Sequence, residues 1–146
     1  MGSLNTITGQ SIYLDANILI YAVEDLTVVG QKIRTLFSRF DNGELHAVTS
    51  ELSLAEVLAK PVRDGKQAIQ DEYEQLLTNS DALTVMPVTR DVLIRAAQIR
   101  AQTSVKLPDA IHAATALMKN CTTFLTNDQR FAVIAPLPVL LLSQVP

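Results

Sequence analysis

Ser11-Ile12-Tyr13-Leu14-Asp15-Ala16-Asn17 is an apolar run that ends in a carboxylate, and Thr122-Thr123-Phe124-Leu125-Thr126-Asn127-Asp128 repeats the arrangement near the other end of the chain. Both apolar runs are too short for a helix and read as strands. Their apolar residues are near-continuous rather than alternating, as in strands covered on both faces. Ligands of open parallel sheets bind beyond the carboxyl ends of the strands. Two parallel strands that each lead into an Asp would therefore put two carboxylates on one functional edge. Taken alone, each Asp also reads as an N-cap or Asx-turn; the repetition argues for more.

Working outward, Leu45 to Val48, Leu83 to Met86 and Val139 to Leu142 have the same strand character. Helical segments fall between them. Val28 to Phe40 sets Val29, Ile33, Leu36, Phe37 and Phe40 at near-helical spacing, and Asn42-Gly43 stops it. Ser50 is the expected N-cap of a helix over Glu51 to Lys60 that Pro61 ends, and Gln67 to Leu77 reads as the next. Thr89 caps a segment to about Thr103, with Val92, Leu93, Ala96, Ile99 and Arg100 at helical spacing. Pro108, tolerated in a first turn, opens Asp109 to Lys119, where Ala110, Ala113, Ala114 and Ala116 would let the helix approach a sheet closely. Strands alternating with helices predict an α/β domain with a mainly parallel sheet. The apolar stretch Ile18 to Val29, broken by Glu24 and Asp25, exceeds what one small helix must bury. It is read as a core helix or as a surface for a partner.

The chain of 146 residues is the size of one domain, expected over residues 4–146. With 48% hydrophobic and 18% charged residues it carries enough apolar surface to fold. Low aromatic content without Trp argues against binding single strands on rows of stacked rings. The lone Cys121 excludes an internal disulfide, and His46 and His112 do not match a zinc-ligand spacing. A reducing cytoplasm is the expected location. No apolar stretch approaches the ~20 residues of a membrane span, and no signal-peptide pattern opens the chain. The net charge of −3 is unusual for a nucleic-acid binder. Four of the negative charges belong to the candidate site, however, and without them the charge is +1, so charge decides nothing here.

Glu56 lies in Leu54-Ala55-Glu56-Val57-Leu58-Ala59, where an ionised carboxylate is costly to bury unless paired or bound to metal. Glu51, five residues earlier, is about 140° away around the helix and has a sufficient role in the first turn, against the dipole. Asp109 opens the alanine-rich helix, whose dipole would keep it ionised; that position also has a purely structural reading. His112, one turn on, is either a partly buried core histidine or a neighbour of the same face. Asn17, Thr126 and Asn127 stand beside the acids and suit the orienting of a carboxylate or a water, with capping as the alternative. Arg63, Lys66, Arg90, Lys106 and Arg130 are phosphate contacts or solvated surface charge. Converging carboxylates repel one another and need a cation, and hard oxygen donors select Mg²⁺ or Mn²⁺. Such a site hydrolyses phosphodiesters without a protein nucleophile, and neither a Ser-His-Asp nor a Cys-His arrangement is apparent.

With these residues in view, the chain resembles a PIN domain of the VapC toxin type. The resemblance rests on four blocks in order: Tyr13-Leu14-Asp15-Ala16-Asn17; Thr49-Ser50-Glu51-Leu52-Ser53-Leu54-Ala55-Glu56-Val57 with Pro61 beyond; Pro108-Asp109-Ala110-Ile111-His112-Ala113-Ala114; and Leu125-Thr126-Asn127-Asp128-Gln129-Arg130-Phe131. It implies a three-layer α/β/α sandwich and an Mg²⁺- or Mn²⁺-dependent endoribonuclease, with an antitoxin partner and homodimerisation in the toxin branch. It assigns Asp15, Glu56, Asp109 and Asp128 to the acidic site, with Asp15 and Asp109 on the best-occupied metal and Asn17 and Thr126 as polar neighbours. His112 departs from the apolar residue that many relatives carry there.

Other folds that put acids at strand ends fit less well. A haloacid-dehalogenase-like phosphatase should carry a second Asp where Asn17 stands, and a receiver domain should carry an acid after its third strand, where Leu83 to Met86 meets Pro87. A dinucleotide-binding fold lacks its glycine-rich turn, because Asp15 to Leu19 contains no Gly. The serious rival is a non-catalytic PIN-like scaffold that binds RNA or protein; its expected mark is loss of one site acid, and all four are present.

Overall fold

The five apolar runs become five parallel strands of one sheet: β1 (Ser11–Leu14), β2 (His46–Ser50), β3 (Leu83–Met86), β4 (Thr123–Thr126) and β5 (Val139–Leu141), in the spatial order β3-β2-β1-β4-β5. The computed structural model describes residues 10–144. The ends of the expected domain, residues 4–9 and 145–146, lie outside the described residues. Among the described residues six α-helices connect or flank the strands: α1 (Ala16–Glu24), α2 (Val28–Asp41), α3 (Glu51–Arg63), α4 (Gln67–Leu76), α5 (Arg90–Gln102) and α6 (Leu107–Met118).

Strand alternation sorts the core into two sides. Ile12, Leu14 and Leu125 pack with Ile18, Leu19, Ile33, Leu36, Val57 and Tyr73 of α1 to α4, all buried. Tyr13 and Phe124 face the other way, toward Val92, Ala96 and Ile99 of α5 and Ala110, Ala113 and Ala114 of α6. Helices on both faces make the three-layer α/β/α arrangement. The alanines of α6 are buried as expected, and on that side the Tyr13 and Phe124 rings stack with centroids 5.0 Å apart.

Several boundaries differ from the sequence expectation. Pro61 does not end α3: the helix continues to Arg63, and its last carbonyls are closed by Asp64 N–H donating to Lys60 and Lys66 N–H donating to Pro61. A proline two residues from the end removes little from a helix that is about to stop. Helix α6 starts at Leu107 rather than Asp109, with Pro108 still within its first turn. Leu93 is exposed on α5. The Ile18 to Val29 stretch divides into α1 and the start of α2 around a tight corner. There Gly30 is required, because a Cβ would stand 2.0 Å from the Asp25 carbonyl oxygen. Leu26 and Val28 at this corner are 91% and 71% exposed.

The register positions the site. Leu14 pairs with Leu125, so Asp15 and Thr126 leave the sheet side by side. The chain builds outward from β1 through β2 to β3, then places β4 and β5 on the other side of β1. Successive connections diverge there, which opens a crevice at the carboxyl ends of β1 and β4.

Cys121, between α6 and β4, is buried, and burial pushes its thiol up to about 11. Iodoacetamide at pH 8 should label it on the order of 100-fold more slowly than a free thiol, because so little thiolate forms. Labelling should become fast on unfolding in guanidinium; fast labelling of the native chain would contradict this packing.

Candidate active site

Asp15 follows β1 directly and caps α1, its Oδ1 accepting the Ile18 N–H at 3.2 Å. The Thr126 hydroxyl, at the end of β4, donates to its other oxygen. Only 4% of Asp15 is exposed. Burial raises its pKa, and the hydrogen bonds from Thr126 and Ile18 work against that rise. The capping role and the site position therefore belong to one side chain.

Asp128, just beyond β4, caps a 3-10 turn over Gln129–Val133 and accepts the Arg130 N–H at 2.9 Å. The Arg130 guanidinium grips the same carboxylate, with Nε at 3.0 Å from both oxygens and Nη2 at 2.5 Å from Oδ2. These hydrogen bonds hold Asp128 below the usual carboxylate range. The same Nη2 lies 3.9 Å from Asp109 Oδ2. Arg130, from sequence a phosphate contact or solvated charge, is exposed and also supplies counter-charge to two of the candidate acids.

Asp109, in the first turn of α6, has its carboxyl raised by burial, with Asp128 and Glu56 adding to the rise and Arg130 opposing it. Desolvation is the largest of these influences at this half-buried position. Glu56 also corrects its sequence reading. It is exposed on α3, whose buried face is Ser53, Val57 and Pro61, so burial cost does not explain it. Its Oε1 instead meets His112 Nε2 at 2.5 Å.

His112 is at once a core residue and a lining residue of the pocket. It is buried on α6, and its Nδ1 lies 2.6 Å from the Tyr13 hydroxyl. Burial, with the nearby Asp15 charge next in size, pushes the Tyr13 phenol well up, so the hydroxyl stays protonated and shares a hydrogen bond with Nδ1. A carboxylate only accepts, so Nε2 carries the hydrogen that faces Glu56. The signal in the sequence was Tyr13 itself, because a buried tyrosine in a strand needs a partner for its hydroxyl.

Asp15, Glu56, Asp109 and Asp128, supplied by four different elements, line one pocket of about 200 Å³ together with Asn17, His112, Arg130 and Phe131. Thr126 reaches it through Asp15. Asn127 does not line it; its amide donates to the Tyr21 hydroxyl at 3.1 Å. A larger pocket of about 340 Å³, lined by Leu14, Leu19, Phe37 and Phe40, is mostly apolar and holds Asp41 as its one acid, so the smaller pocket is the one where the candidate acids gather.

Among the described residues, no group of three acidic, histidine or cysteine side chains is arranged to hold a metal ion as it stands. The donors nevertheless suit a hard divalent cation: four carboxylates, no thiolate, and two acids, Asp15 and Asp109, whose charged forms burial penalises. A cation there would take over the part of Arg130 toward Asp109 and Asp128.

Without metal, the folded chain retains protons on Asp15 and Asp109 that the unfolded chain releases near pH 3.9. Their effect is absent below that value, and stability falls as pH rises from it through the raised pKa values. Asp109→Asn should therefore raise the thermal midpoint in EDTA at pH 7. It should also shrink the further rise that Mn²⁺ gives the wild type. A lower midpoint in EDTA would contradict a destabilising Asp109 charge.

The fold has counterparts among known proteins. The model of the family described as "PIN domain" matches residues 12–136. No curated protein is significantly similar in sequence. Among solved structures the chain is similar to VapBC2 from Rickettsia felis bound to a DNA fragment from their promoter, with a TM-score of 0.71 at 19% identity over 89% of this chain and 97% of that one. It is similar to VapC20 of Mycobacterium tuberculosis, a sarcin–ricin-loop-cleaving toxin, with a TM-score of 0.70 at 15% identity over 85% and 95%. A toxin–antitoxin complex from Klebsiella pneumoniae gives 0.65 at 22% identity over 90% and 97%. These structures share the fold, and the family match covers most of the chain, from β1 to beyond the 3-10 turn after Asp128: the chain belongs to the PIN domain family.

Proposed function

We propose that this PIN domain is an Mg²⁺- or Mn²⁺-dependent endoribonuclease that hydrolyses RNA phosphodiester bonds, and that it is the toxin of a type II toxin–antitoxin pair. The observation that carries the reading is the pocket at the β1–β4 crevice, lined by four carboxylates from four elements. Asp15, Glu56, Asp109 and Asp128 would hold the cation. When bound, it supplies an activated water at neutral pH and stabilises charge on the phosphodiester.

The chain's own residues do the rest. Thr126 and the Ile18 N–H keep Asp15 oriented. Arg130, 63% exposed at the pocket, carries a planar guanidinium that suits a phosphate. Asn17 is exposed beside Asp15 and suits a water or ribose hydroxyl. Hydrolysis adds water across one P–O bond and releases the leaving oxygen as an alcohol, so no covalent enzyme intermediate is needed.

A cognate antitoxin and a second copy of this chain are the proposed partners. Support comes from similarity to structures described as VapBC and toxin–antitoxin complexes and from the exposed Leu26 and Val28 at the α1–α2 corner. The proposed location is the cytoplasm; no helix among the described residues is long and apolar enough to cross a membrane. One observation favours the non-catalytic scaffold: Arg130 already supplies a positive charge to two of the acids.

Cleavage of a structured RNA panel decides between them. With Mn²⁺ or Mg²⁺ and no antitoxin, the wild type should cut, and Asp15→Asn should lose on the order of 100-fold or more, at least the loss that follows removal of a ligand's outer partner. Equal cleavage by both proteins, or none by either, would overturn the nuclease reading.

A further inference from the structure

We propose that His112 is a positioning residue of this site, holding the exposed Glu56 carboxylate toward the pocket while Tyr13 holds His112. The inference rests on the cation-dependent reading above.

Glu56 projects from an exposed part of α3, where a long side chain otherwise samples many rotamers. Among the described residues its hydrogen bond is to His112. The imidazole is a fixed anchor. It is buried on α6, one turn after Asp109, bonded at Nδ1 to the Tyr13 hydroxyl, and in edge contact with the Tyr13 ring at 5.7 Å and 69°. Tyr13 is fixed in turn by parallel stacking on Phe124.

The rigid series Phe124, Tyr13, His112 thus begins in β4, crosses β1 and α6, and ends on a site acid from α3. A histidine serving only the core would be satisfied within it. This one spends its second nitrogen on a carboxylate of the pocket, occupying Oε1 and leaving Oε2 as the oxygen for another partner. It also ties Glu56 to α6, the helix that carries Asp109, so two of the four acids are set by one element. Outer partners of this kind orient metal-ligating groups.

The test is Mn²⁺ binding by titration calorimetry, with RNA cleavage alongside, in wild type, His112→Leu, His112→Gln and the double variant Tyr13→Phe/His112→Leu. The double variant leaves no buried hydroxyl without a partner, and circular dichroism confirms each fold. Both Leu variants should weaken Mn²⁺ binding about 10–100-fold and lower kcat with the KM for RNA changed by less than about twofold. His112→Gln, which keeps an N–H donor near the Nε2 position, should recover most of the affinity. In a Glu56→Ala background His112→Leu should have no further effect on Mn²⁺ binding, because the two act as one unit. Wild-type affinity in both folded Leu variants, or an undiminished effect of His112→Leu without Glu56, would overturn the positioning role while leaving the nuclease reading in place. Absence of Mn²⁺ binding by the wild type would overturn both.

Discussion

Withdrawing Asp15 and Asp109 from water beside two further carboxylates, at the carboxyl ends of β1 and β4, is the constraint that the rest of the site answers. Burial penalises their charged forms most, and the like charge nearby adds to the cost. Asp15 has the Thr126 hydroxyl and the Ile18 N–H, Asp128 has the Arg130 fork, and Glu56 has His112. Asp109 is the least served, with Arg130 at 3.9 Å and burial raising its carboxyl. The electrostatic need of the pocket is concentrated there, at the start of α6.

The fold turns that need into geometry with few parts. Strand β1 carries Asp15 out of the sheet and sends Tyr13 into the layer of α5 and α6, where it reaches His112. Helix α6 packs closely through its alanines and brings Asp109 and His112 to one end of the sheet, one turn apart. Side chains separated by about a hundred residues are thereby held by rigid elements rather than by loops, the arrangement that keeps a site in one geometry. Solved structures at 15–22% identity share this fold while most of the sequence has changed, as a core tolerant of apolar exchange allows.

Much of this was legible in the residues themselves. Short apolar runs alternating with amphipathic segments specify strands and helices because the period of burial differs between them, and all five strands lie where those runs occur. The two strand-plus-Asp runs pointed to a common sheet edge. Less legible were features set by neighbours distant in sequence. Glu56 was reasoned to be buried because its neighbours are apolar, but the helix turns it outward and its partner is fifty-six residues away. Asn127 stands beside an acid in sequence and turns to Tyr21 instead.

The amino-acid sequence by itself determined the element types and the parallel α/β class, since these follow from local periodicity and from caps, and it singled out the four acids as candidates. Only the tertiary structure decided that β1 and β4 lie side by side and that Arg130 supplies the counter-charge between two acids. It alone placed His112 between Tyr13 and Glu56. The reason is physical: strand order and long-range hydrogen bonds depend on the packing of both helical layers at once, and no window of neighbouring residues contains that information.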